Sequence, residues 1–191
     1  MRYLATRALL LSTLLVGCSG SVDSRTRLSI FAASSLTDSF QDLASEFEAQ
    51  NPSIAVELAF AGSQILRLQI EQGASVDLFA SANQKHLQEL VDDGYMGSPK
   101  VFASTDLVMI VPIANPAEIE TFQDLTRASR IVLGNEFSPI GLYTLEVLER
   151  ATADLGASFG SVVSERITSL ENNVRMVRAK VELGEADAAL V

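Results

Sequence analysis

Hydrophobic and polar positions along this chain switch repeatedly between a period of two and a period near 3.6. That pattern predicts strands alternating with helices. Leu28-Ser29-Ile30-Phe31 is a short apolar run ending in small residues, and it reads as a strand. Leu36, Phe40, Leu43 and Phe47 follow at steps of four, three and four, which predicts a helix with one buried stripe. Ser35 with Asp38 three residues on has the form of a capping box at its start, and Asn51-Pro52 stops it. Ile54, Val56, Leu58 and Phe60 alternate with small or polar residues, a second strand. Gly62-Ser63 opens a helix carrying Ile65 and Leu68 that closes at Gly73. Residues 76–80 read as a third strand and 83–93 as a helix with Gly94 as its stop.

The order strand, helix, strand, helix predicts a parallel sheet covered by helices on both faces. A fresh unit follows the polar stretch Ser104-Thr105-Asp106. It has a strand over 107–111, a helical turn over 121–125, a strand over 131–133 and helices over 143–155 and 173–182. Ala186-Asp187-Ala188-Ala189-Leu190-Val191 then heads into an apolar strand at which the sequence stops, and the expectation is a truncated chain.

The N-terminus departs from this pattern and changes the picture. Arg2 and Arg7 lead into an apolar segment over 8–17, far short of the ~20 residues a membrane-spanning helix needs, so 1–17 reads as a signal peptide. It ends in Leu15-Val16-Gly17-Cys18, the lipobox form. Cys18 is therefore the expected lipidation site and mature N-terminus, with 18–27 a lipidated tether. As the one cysteine of the chain it cannot close an internal disulfide. Removing Arg2 and Arg7 from the 14 basic residues leaves 12 against 24 acidic ones, a net charge of −12 over 174 residues. Nucleic acid is excluded as a partner by that balance, and membrane contact is expected only through the lipid.

Catalytic chemistry finds little support. His86 is the single histidine and reads as a solvated residue of an amphipathic helix. There is no Gly-x-Ser-x-Gly elbow, histidine pair, cysteine cluster or phosphate-cradling Walker loop. What recurs instead is a small or hydroxyl residue where a strand meets a helix: Ser34-Ser35, Gly62-Ser63, Pro139-Ile140-Gly141 and Asn172-Asn173-Val174. Each junction offers unpaired backbone N–H groups and the positive end of a helix dipole. Taken singly these are ordinary helix caps. Converging, they would bind an anion without a basic side chain.

Phe31-Ala32-Ala33-Ser34-Ser35-Leu36-Thr37 resembles the opening signature of periplasmic molybdate-binding proteins of bacterial ABC transporters. The similarity continues through Phe60-Ala61-Gly62-Ser63, residues 76–83, Pro139-Ile140-Gly141-Leu142-Tyr143, Asn173-Val174-Arg175 and Asp187-Ala188-Ala189-Leu190-Val191. The resemblance implies an α/β, two-lobed type II periplasmic-binding-protein fold. Each lobe would be a doubly wound sheet with flanking helices, the first over 28–105 and the second over 106–191, with the C-terminal return to the first lobe missing. It also implies an extracytoplasmic lipoprotein, not an enzyme and with no cofactor, that captures molybdate or tungstate as a monomer and delivers it to a permease subunit. Ser35 and Ser63 would give hydroxyl and backbone donors, meeting the metal only through its oxyanion oxygens. Ile140 and Val174 would give backbone N–H groups, and a tyrosine hydroxyl would follow Val191. Asp77, also within the similar blocks, is expected to be structural. The alternatives are sulfate or another tetrahedral oxyanion on the same fold and, from a different class, an extracytoplasmic hydrolase. A transcription regulator's effector lobe is excluded by the lipobox and by the lack of a DNA-binding helical segment.

Overall fold

A computed structural model describes residues 24–191. The signal peptide, Cys18 and most of the expected tether lie outside the described residues. Two sheets organise the molecule, and we call each sheet with its helices a lobe.

In the first lobe β1 (Thr26–Ala33) lies between β2 (Ile54–Ala61) and β3 (Leu78–Ala80), all parallel. β1 starts two residues before the expected lobe boundary because Thr26 already pairs with Ile54. α1 (Thr37–Gln50), α2 (Ser63–Glu71) and α3 (Gln84–Asp92) follow the three strands in turn. Leu66, Ile70, Phe79 and Leu90 form the buried core, on the side of α2 and α3.

α1 departs from expectation twice. Its capping box does not form, because Ser34–Leu36 make a 3-10 turn that puts Ser35 inside the turn rather than at the cap. Its stripe is not buried either: Leu43 is 60% and Phe47 39% exposed, and no residue of α1 is fully covered. Phe40 leans on Phe102, ring centroids 6.1 Å apart, while Leu43 and Phe47 stay exposed.

Residues 93–108 run to the second sheet without regular secondary structure. There the order is β4 (Met109–Ile110), β7 (Ala188–Leu190), β5 (Ile131–Gly134) and β6 (Ile167–Glu171), with β4 antiparallel to β7 and the other pairs parallel. α4 (Pro139–Leu155), α5 (Ala157–Glu165) and α6 (Val174–Glu182) complete the lobe. Successive β5 side chains point to opposite faces. Ile131 and Leu133 join Leu125, Phe159 and Val163, while Val132 joins Val177, Val181 and Ala189. Both faces are thus covered, as a mostly parallel sheet requires.

The expected strand over 107–111 shrinks to two residues, and α4 starts at Pro139, four residues early. α5 and β6 are not legible in the pattern. The expected helix over 143–155 ends with α4 at Leu155, Gly156 at φ 98° separates it from α5, and Thr168 and Ser169 keep β6 too polar to stand out. No helix among the described residues is long and apolar enough to cross a membrane.

Candidate functional site

The four strand–helix junctions lie at the carboxyl ends of paired strands, where ligands of such sheets sit. β1 and β2 end opposite each other at Ala33 and Ala61, which sets the Ser34-Ser35 turn beside the Gly62-Ser63 turn. In the second lobe Gly134 pairs with Glu171, and the Asn135 N–H donates to the Glu171 carbonyl at 2.8 Å. That sets the turn into α4 beside the turn into α6. The Asn135 side chain reinforces the arrangement by donating to Asn172 Oδ1 at 2.7 Å and accepting from the N–H groups of Phe137 and Ser138, both at 3.0 Å.

Capping decides which donors stay free. Ser138 caps α4 by accepting from the Gly141 N–H at 3.1 Å, and Pro139 has no N–H. Ile140, buried at the second position of the helix, therefore carries the first-turn N–H that the cap leaves over. Asn173 caps α6 by accepting from the Met176 N–H at 3.1 Å, leaving Val174 and Arg175 ahead of it. In the first lobe neither the 3-10 turn nor α2 has a side-chain cap. Ser63 opens α2, only 1% exposed, and its Oγ accepts from the Ala82 N–H at 3.0 Å. With that lone pair engaged, the hydroxyl still has its proton to give. Ser35 lies in the 3-10 turn and is exposed, and Val174 is half-buried at the first position of α6.

Residues flanking these four positions bond across the lobes. Asp38, three after Ser35, accepts from the Arg175 guanidinium at 2.9 Å. Gln64, next to Ser63, donates through Nε2 to the Asn172 carbonyl at 2.7 Å. His86 Nε2 lies 3.0 Å from the Phe137 carbonyl, three residues before Ile140. A Cβ built on Gly62 would come within 2.5 Å of the Asn172 carbonyl oxygen, so the second lobe approaches closely enough there to require glycine. The Arg175 hydrogen bond and charge hold the Asp38 carboxyl below its ordinary range, and Asp38 in turn takes up the Arg175 charge.

His86 corrects the sequence reading. It is 4% exposed, on the same face of α3 as the core residue Leu90. The spacing of four between the two was the available signal. The cross-lobe partners Asp38, Gln64 and Arg175 carried none, since which surface residues meet depends on the tertiary arrangement. Asp77 is structural, accepting from the Ser29 N–H at 2.8 Å. Asp187 likewise accepts from the Ser129 and Arg130 N–H groups, each at 2.9 Å. Among the described residues no group of three or more His, Cys, Asp or Glu side chains could hold a metal ion. Two open clefts of about 600 and 450 Å³ on the second lobe include no junction residue in their walls. Chemically, the junctions offer hydrogen-bond donors and positive dipole ends, which suits a small anion carrying only acceptors.

Residues 28–191 match the family described as bacterial extracellular solute-binding protein. The chain is 35% identical over 164 residues to the molybdate-binding protein ModA of Mycobacterium tuberculosis, covering 85% of this chain and 59% of that protein. It is 32% identical over 174 residues to the molybdate-binding protein ModA of Escherichia coli, covering 86% of this chain and 65% of that protein. It therefore spans less than two thirds of either relative's length. Among solved structures, the periplasmic molybdate-binding protein of Azotobacter vinelandii superposes with a TM-score of 0.62 at 23% identity, over 86% of this chain and 70% of that one, and shares its fold.

Proposed function

This chain belongs to the bacterial extracellular solute-binding protein family, and on that premise we propose that it captures molybdate, and tungstate equally, for an ABC importer. The observation that carries the proposal is the set of bonds flanking the junctions across the lobes, Asp38 to Arg175, Gln64 to Asn172 and His86 to Phe137. In the proposed site Ser35 and Ser63 donate hydroxyl and backbone hydrogens, and Ile140 and Val174 donate backbone N–H groups. The Ser63 hydroxyl, already accepting from Ala82, has its proton left to give. Closure of the lobes shuts the anion among dipole ends, and the closed form is what a permease subunit would recognise. Lipidation at Cys18 would anchor the chain, as a monomer, to a membrane outside the cytoplasm, in the periplasm or at the cell surface.

Selectivity follows from a site made of donors. Molybdate, tungstate and sulfate bring only acceptors near neutral pH, whereas hydrogen phosphate brings a proton that would face donors. Burying that mismatch costs ~1–3 kcal/mol, roughly tenfold to hundredfold in affinity. Calorimetric titration of the full chain with each anion is the test. Comparable affinities for molybdate and tungstate, with phosphate weaker by that factor, are expected. Binding of sulfate as tight as molybdate would overturn the choice of ligand, and binding of none of them would overturn the oxyanion reading itself.

A further inference from the structure

His86 is a buried titratable group that the anion site does not use. Its ring reaches out of α3 in the first lobe to the carbonyl of Phe137, in the loop that leads into α4. A carbonyl only accepts, so Nε2 must carry the hydrogen. Phe137 is no bystander: its N–H, with that of Ser138, is held by Asn135 Oδ1, and Ser138 is the cap that leaves the Ile140 N–H free. A pull on the Phe137 carbonyl is thus transmitted through two residues to the proposed anion donor. The other ring nitrogen, Nδ1, is buried without a hydrogen-bond partner, 3.6 Å from Glu89 Oε2.

We propose that His86 is a positioning residue of the oxyanion site, a latch whose Nε2–H closes on the Phe137 carbonyl and holds the α4 turn in its donor geometry only when the lobes are together. This rests on the oxyanion reading for what the turn donates to, but not for the latch contact. The latch also senses pH. The groups around the ring are Arg67 and Glu71 on α2 and Lys85 and Glu89 on α3, with Arg67 paired to both Glu71 and Glu89. From the second lobe the Phe137 carbonyl faces it, and the neighbouring Glu136 is exposed. Burial is the largest influence and lowers the ring's affinity for a second proton. The Phe137 carbonyl opposes it, Arg67 and Lys85 lower it further, and Glu71 opposes. Opening relieves part of that burial, so closure favours the neutral ring, is fully supported at higher pH and weakens as the ring takes up its second proton on acidification.

His86 is the single histidine of the chain, so its ring nitrogens give unambiguous NMR signals in the full-length protein. On adding molybdate, the Nε2-protonated form is expected to become exchange-protected and its titration midpoint to move down. His86→Ala should speed molybdate dissociation roughly two- to tenfold, the worth of one neutral hydrogen bond, with association little changed. His86→Gln, whose amide can reach the same carbonyl, should restore slow dissociation without the weakening on acidification. Unchanged dissociation in His86→Ala, with ring signals indifferent to molybdate, would overturn the latch and leave the oxyanion reading standing. A protected Nε2–H in a chain that binds no oxyanion would overturn that reading and leave the contact standing. Loss of thermal stability in both variants, with no recovery by Gln, would mark His86 as a core residue only and overturn the latch.

Discussion

Gly62 and Ser63 sit side by side at the start of α2 and separate closure from donation. Gly62 has φ −63°, which alanine adopts without strain, so its obstacles are the other lobe's Asn172 carbonyl and the movable Gln64 side chain bonded to it. Gly62→Ala should leave the melting temperature of the ligand-free chain unchanged or slightly raised. It should nevertheless weaken molybdate binding severalfold or more, because the added methyl meets backbone as the lobes close. Ser63→Ala acts differently. It removes the hydroxyl proton offered to the anion and also strips the Ala82 N–H of its acceptor, costing ~0.5–1.5 kcal/mol, the net worth of one hydrogen bond. Calorimetry and thermal melts on both variants separate the two: affinity without stability is lost for Gly62→Ala, and some of each for Ser63→Ala. Ser63 and Ile140 were legible as candidates because serine after glycine, and proline-isoleucine-glycine, mark helix starts. His86 was misread because a lone polar residue on an amphipathic helix does not disclose which neighbour will cover it.

At the scale of elements, hydrophobic period alone found α1, α2, α3, β1 and β2 within a few residues. It failed where polar strands or an internal glycine broke the signal, as at β6 and Gly156. It also overstated burial in α1. A stripe at helical spacing says that a helix has an apolar face, not that another element covers it. Leu43→Ser is therefore expected to change the unfolding free energy by less than ~0.5 kcal/mol. Leu90→Ala, in the α2–α3 core, should cost ~2–5 kcal/mol. Chemical denaturation of the two variants checks the contrast, and a large loss for Leu43→Ser would mean that the α1 face is covered in solution.

At the scale of the whole molecule the question is how an acidic chain holds an anion. The formal net charge is −10, and the guanidinium nearest in sequence to Val174 is occupied by Asp38. The attraction must come from dipoles at short range, which salt screens little, while the Asp38–Arg175 pair is exposed and screened. Molybdate affinity of the wild-type chain should consequently fall as salt rises from ~0.05 to ~0.5 M, as screening weakens the exposed ion pair that joins the lobes. Arg175→Ala should flatten that dependence while retaining binding, and titration at the two salt levels measures it. An equal slope in both proteins would clear the Asp38–Arg175 pair of the effect, and an affinity that rises with salt would report relief of repulsion from the acidic surface.

The sequence by itself determined the alternation of strands and helices and the hydroxyl and glycine residues at four helix starts. These are local properties: spacing along one chain decides period, and cap chemistry decides where a helix opens. Only the tertiary structure decided that the first-lobe turns face the second-lobe turns, and that Asp38, Gln64 and His86 bridge them. It alone decided that Gly62 must be glycine because another lobe's carbonyl approaches it. Those contacts join residues 51 to 137 positions apart, and no pattern within one element encodes its partner's surface.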